Sequence, residues 1–171
     1  TKGPEYPRNP GDDLKGDTDL ILASMVNLRG KGGPTGAPSE FIFSQADGIL
    51  PSLSEFQYIK QYGRFGLGGN DRNYYLELCP DISLSRTTVR SKIEGSPKLQ
   101  RALEITSELL QISQHWKDTP ADFMCDPKVL HDDLVAKGLN WDLLLNTRGY
   151  WTFDQYTNPI PFLSTWDLLA I

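Results

Sequence analysis

Cys125 and His131 sit in one short stretch with Asp118, Asp122, Asp126, Asp132 and Asp133, and His115 lies just upstream. These side chains make nucleophile–base pairs and metal sites. A thiolate becomes a nucleophile beside an imidazole, and a zinc ion needs His, Cys or carboxylate ligands at set spacing. The spacing here fits neither chemistry. There is no H-E-x-x-H or paired-histidine turn, no C-x-x-C, no G-x-S-x-G elbow, and no protease context around either cysteine. His115 ends a helix-period segment, where a protonated imidazole meets the negative end of the helix dipole. His131 is expected at the surface. A small hydrolase-like enzyme using Cys125, His131 and the nearby aspartates is therefore an alternative, and no catalytic residue, metal ligand or cofactor is assigned. Cys79 and Cys125 fit one disulfide or two buried thiols equally well.

Two other patterns invite chemistry. Glu104 and Glu108 fall on the polar face of a long helical segment and are expected in solvent, whereas carboxylate pairs that cleave glycosides line a cleft. Gly30, Gly32, Gly33 and Gly36, beside Arg29 and Lys31, resemble a phosphate loop in composition only. The spacing matches neither phosphate-loop pattern, and Pro34 and Pro38 block the helix whose N-terminus would face the phosphate. A second loop carries Gly63, Gly66, Gly68 and Gly69, where glycine allows either a tight turn or close approach of a ligand. An anion- or nucleotide-binding module using these loops is the other alternative.

The leading expectation comes from aromatic and basic residues. Tyr62, Arg64, Phe65 and Arg72 surround the second glycine loop, and Tyr and Arg dominate interface hot spots. Tyr150, Trp151, Phe153, Tyr156, Phe162 and Trp166 crowd a C-terminal segment that Pro159 and Pro161 hold extended. These ten residues are the expected interface of a non-catalytic accessory or structural subunit. It would dock onto a larger protein assembly through its extended termini and the aromatic/basic loop. Such a chain should expose an apolar patch larger than several hundred Å² when isolated.

Charge narrows the partner. A net charge of −5 disfavours nucleic acid, since counterion release needs clustered Lys and Arg. Residues 101–171 carry five basic against ten acidic residues, and residues 51–100 carry seven against five. No apolar run approaches the roughly 20 residues a bilayer span requires, so no membrane insertion is expected. The chain opens on Thr1 rather than Met, which reads as a processed or partial form and points to an organelle or an exported compartment.

The elements that must position these residues follow from punctuation and period. Residues 1–19 read as an extended arm, and 20–171 as a single globular domain whose end, about 150–171, is aromatic and proline-stiffened. Asp17, Thr18 and Asp19 offer N-caps for a helix over 20–28, with Gly30 just past its end; a strand is the alternative, since Leu20, Ile21 and Leu22 run together without alternation. A short strand is expected at 41–44 and another at 73–79, ended by Pro80. Ser52 and Glu55 form a capping box for a helix closed by Gly63. Ser96-Pro97 opens the strongest element, an amphipathic helix over about 97–116 with a stripe of Leu99, Leu103, Thr106 and Leu110. Thr119-Pro120 and Asp126-Pro127 start two more helices, the second burying Val129, Leu130 and Leu134 and stopping at Gly138. Asn140 caps another, and Ser164 with Asp167 a last one. The expected fold class is mainly α with a small β element (α+β): a compact set of short helices around one longer helix.

Overall fold

A computed structural model describes residues 19–26, 28, 38–70, 72–115, 120–154 and 156–171. The expected arm, apart from Asp19, and the first glycine loop lie outside the described residues.

The expected helix over 20–28 is a strand. β1 (Leu20–Val26) pairs antiparallel with β2 (Pro38–Ser44) from Leu20↔Ser44 to Val26↔Pro38, and β2 pairs with the short β3 (Gly48–Ile49). Asp19 explains the change. Its carboxylate does not cap a helix; Oδ1 accepts the Gln45 and Ala46 N–H groups at 3.0 and 3.3 Å, and Oδ2 accepts the Ser44 hydroxyl at 2.7 Å. Arg90 joins the same carboxylate at 3.0 Å and reaches Asp47 and Glu94. The Ser44 hydrogen bond, with Arg90 behind it, holds the Asp19 carboxyl below its ordinary range. One face of this sheet buries Leu20, Ile42 and Ser44, while Ile21, Met25 and Ile49 stay exposed.

α1 (Pro51–Gln61) begins one residue before Ser52, with proline in its first turn where the missing N–H costs nothing. The Ser52–Glu55 capping box does not form. Ser54 works instead, accepting the Ile42 N–H at 2.9 Å and donating to the Leu50 carbonyl at 2.8 Å, which ties the helix start to β2. Phe56, Ile59 and Lys60 of α1 are buried.

A second antiparallel sheet follows, β4 (Leu67–Gly69), β5 (Tyr74–Leu76) and β6 (Cys79–Leu84), ordered β4-β5-β6. The single strand expected at 73–79 is divided by a turn at Glu77 and Leu78 into β5 and the start of β6, and Pro80 lies within β6, a sheet-edge strand where a lost donor breaks no ladder. Gly66, with φ +65°, sits where a Cβ would come within 2.6 Å of Pro127 Cγ. Packing therefore accounts for that glycine without a ligand.

α2 (Val89–Glu94) leads into α3 (Pro97–His115), which packs on α1, α2 and β6. Leu99, Leu103, Thr106 and Leu110 are buried, as the stripe predicted, and Ile105 and Leu109 are buried beside them. A 3-10 turn (Ala121–Phe123) stands at the first proline-started position, and α4 (Pro127–Ala136) at the second. Leu130 and Leu134 of α4 are buried but Val129 is exposed, so its stripe is narrower than expected. Asn140 caps α5 (Trp141–Leu144), and Ser164 with Asp167 closes a complete capping box on α6 (Thr165–Ala170). Among the described residues the chain thus carries six α-helices and two three-stranded antiparallel sheets. It is a mixed α+β fold, not a mainly helical one with a small β element.

Candidate functional site

After α5 the chain leaves the core and returns to it at nearly the same point. The Arg148 N–H donates to the Pro161 carbonyl and the Leu163 N–H to the Arg148 carbonyl, each at 2.9 Å. The residues between form a compact loop of the Ω type, ends together and filled by its own groups. Arg148, 8% exposed, is that filling. Its Nε donates to the Ile160 carbonyl at 3.1 Å and its Nη1 to the Thr152 hydroxyl, which in turn donates to Asp154. The Asp154 carbonyl accepts the Thr157 and Asn158 N–H groups at 2.8 Å.

With the inside occupied by polar groups, the rings point out. Phe153 is 96% and Tyr156 92% exposed, and Tyr150, Trp151, Phe162 and Trp166 are all exposed. Trp151 and Phe153 meet edge-on at 4.9 Å, and Trp166 packs on Phe123 at 5.7 Å. The other predicted cluster divides. Tyr62 is exposed against Tyr58, and Arg72 is exposed. Arg64 lies over the Tyr74 ring at 5.1 Å and donates to the Gly69 carbonyl at 3.1 Å, while Phe65 packs half-buried against the core.

Beneath the loop is a cleft of about 540 Å³ between the start of α1, the α2–α3 corner and residues 147–160. Leu50, Pro51, Pro97, Tyr150 and Ile160 form its apolar walls, and Glu55, Arg101, Glu104 and Arg148 its polar ones. Arg101 is 3% exposed; Nη1 donates to Glu104 at 2.8 Å and Nη2 to the Leu163 carbonyl. Gly149 lies over this pair so closely that a Cβ there would overlap Arg101 Nη1 and Glu104 Oε1.

Glu104 and Glu108 are thus half-buried and not in solvent, contrary to the helix-face reading. α3 is covered on its polar side as well, by α1 and the returning C-terminal segment. The consequence falls on Glu55. Burial first, then the Glu104 and Glu108 charges, push its carboxyl up to about 8, with Arg101 opposing. Burial also raises Glu108, and burial raises Tyr58, one turn along α1, to about 12. Glu55 Oε2, Tyr58 Oη and Arg101 Nε are buried without a hydrogen-bond partner, and buried polar atoms of this kind are uncommon in native proteins. Sequence reasoning missed this cluster because Glu55 had a ready role as a helix cap.

Among the described residues the cysteine–histidine stretch does not assemble into a comparable site. Cys125 is half-buried, and burial with Asp126 and Asp133 pushes its thiol up, away from the thiolate a nucleophile needs. His131 pairs with Asp132 at 2.9 Å and lies edge-on to Trp141. Asp118 and the side chains of His115 and Asp122 lie outside what the structure describes, and among the described residues no group of three His, Cys, Asp or Glu side chains is arranged to hold a metal. Both cysteines are free. No described helix is long and apolar enough to cross a membrane. The chain matches no protein-family model, no curated protein and no solved structure.

Proposed function

We propose that this chain is a non-catalytic subunit that docks a partner protein onto its aromatic loop, residues 150–166. The observation that carries the reading is the exposure of Phe153 and Tyr156, above nine-tenths, on a loop whose interior is already filled by Arg148. Burying one such ring contributes about 1.5–3 kcal/mol. A contiguous exposed apolar patch on a folded chain marks an interaction surface. Tyr62 and Arg72 extend the proposed interface; Arg64 and Phe65 support it from behind.

The partner is a protein with an apolar groove rimmed by Lys and Arg. Asp154 and Asp167 flank the rings, and hydrogen bonds from Thr152 and from Ser164 hold their carboxyls below the ordinary range, so both stay charged. Residues 101–171 carry ten acidic against five basic residues, and complementary charge steers encounter and suppresses wrong partners.

A photo-crosslinking residue at Phe153, with one at exposed Val129 as control, tests the reading in extract of the native source. The expected result is a distinct protein captured from position 153 and not from 129. That protein, purified, should bind the chain in a salt-sensitive way and lose binding to Trp151→Ser. Capture of nothing beyond the control, or of a second copy of this chain, overturns the proposal.

A further inference from the structure

We infer that β1 is a docking edge for a second copy of this chain, the two β1 strands pairing antiparallel about a two-fold axis at Ala23. β1 is an outer strand of its sheet, and among the described residues no strand pairs with its far side. The ladder fixes which groups face that side. In an antiparallel pair, successive residues turn their main-chain groups alternately to the neighbour and away from it. The Gln45 N–H donates to the Asp19 carbonyl at 3.0 Å, so Asp19, Ile21, Ala23 and Met25 turn theirs to β2. Leu22 and Ser24 turn theirs outward. The opposite residue Ile42 agrees, since its carbonyl accepts the Leu50 N–H on the side away from β1. Native edges are blunted by charge, proline or a bulge. β1 has none of these: LILASMV is uncharged and proline-free, and its register runs without a shift from Leu20 to Val26.

The strand fits a copy of itself. With Ala23 on the axis, Leu22 and Ser24 exchange N–H···O bonds with Ser24 and Leu22 of the other copy. Ile21 then falls opposite Met25, in a non-hydrogen-bonded pair, the kind whose side chains lie closer together. Both are exposed in the single chain, at 50% and 60%, and apolar cross-strand pairs are a unit of sheet stabilisation. Ala23, with the smallest side chain of the strand, meets its own counterpart. Charge supports the same orientation. In sequence, the uncharged run 20–28 follows Asp17 and Asp19 and precedes Arg29 and Lys31. An antiparallel copy sets the acidic flank of each chain toward the basic flank of the other, and complementary charge fixes register.

The area sets the strength. One seven-residue edge buries less than the about 1,200 Å² at which standard stable interfaces begin. The dimer is therefore weak, with a Kd of about 10–100 μM. None of its residues belongs to the loop over 150–166, so the inference stands apart from the aromatic-loop reading.

The test is sedimentation equilibrium of the full chain at about 5–500 μM, a range that brackets this Kd. Ser24→Pro removes an outward N–H and leaves the β1–β2 ladder whole, a place where an edge strand accepts proline. The expected result is a monomer–dimer equilibrium whose Kd rises at least tenfold in Ser24→Pro, with the far-UV circular dichroism unchanged. Cross-linking reads the register. In a Cys125→Ser background, Ala23→Cys should form an interchain disulfide on mild oxidation, because opposed non-hydrogen-bonded residues lie about 4.5 Å apart at Cα. Ser24→Cys, diagonal to its counterpart at about 7–8 Å, should do so at least tenfold more slowly. A chain that stays monomeric to about 500 μM overturns the inference and leaves the edge to a foreign strand. So does a dimer that persists in Ser24→Pro, one that Phe153→Ser abolishes, or equal cross-linking of the two cysteine variants. Wild-type sedimentation and the cysteine pair decide the matter even if Ser24→Pro folds poorly.

Discussion

The two sides of the C-terminal loop invert the usual distribution of side chains. Outside, Trp151, Phe153 and Tyr156 face solvent; beneath, Arg101, Glu104 and Arg148 are enclosed with Glu55. Polar satisfaction explains the outcome better than hydropathy. The loop's carbonyls need donors, and Arg101 and Arg148 supply them to Leu163 and Ile160. The Arg148 guanidinium, bonded to the Ile160 carbonyl and the Thr152 hydroxyl, occupies the loop interior, and the rings of Trp151, Phe153 and Tyr156 lie outside it. A buried charge and an exposed aromatic cluster are each informative because each goes against burial preference.

The largest expected effect breaks the enclosed side. Arg101→Met removes the donors to Glu104 and to the Leu163 carbonyl and leaves Glu104 beside Glu55 and Glu108 without its cation. A loss of about 3–5 kcal/mol in unfolding free energy is expected by urea denaturation. A loss below about 1 kcal/mol would mean the cluster is not enclosed.

Glu55→Gln sharpens the same side through pH. The folded chain holds the Glu55 proton up to about pH 8, while the unfolded chain releases it in the ordinary carboxylate range. The folded state therefore binds more protons between those values, and this residue makes stability fall as pH rises through that window. The variant should match wild type near pH 4 and melt about 5 °C higher at pH 8, measured by differential scanning calorimetry. Equal melting at both pH values would show an ordinary carboxyl.

Gly149→Ala tests the fit between the two sides. Its Cβ must push the tips of Arg101 and Glu104 aside, at a cost of about 1–2 kcal/mol in the same denaturation assay. The smallest effect belongs outside: Phe153→Ser should change stability by no more than about 0.5 kcal/mol, since the ring touches little of its own chain.

Helix starts were legible where one residue fixes its own neighbourhood. Pro97, Pro127, Asn140 and the Ser164–Asp167 box each act within a turn of helix, and each stands where the sequence puts it. Asp19 was misread because a local cap was available, while its actual partners are Ser44, at the far end of the hairpin, and Arg90, 71 residues on. The run Leu20-Ile21-Leu22 has no period of its own to resolve the choice.

The Glu104–Glu108 face failed for a related reason. A helical stripe tells which face is apolar, not whether the opposite face is covered. Cover comes from Glu55 on α1 and from Gly149 and Leu163, residues with no local signal on α3. The density of rings after Tyr150 was plain from the sequence. Their direction was not, because it depends on where a single side chain, Arg148, is held.

Hydroxyl-radical footprinting, on the isolated chain and on its complex with the proposed partner, tests the outward-ring account most directly. Trp151, Phe153 and Tyr156 should oxidise rapidly in the isolated chain and at least tenfold more slowly in that complex, with exposed Val129 unchanged between the two. Slow oxidation of the three rings in the isolated chain, or equal rates in both samples, would contradict it.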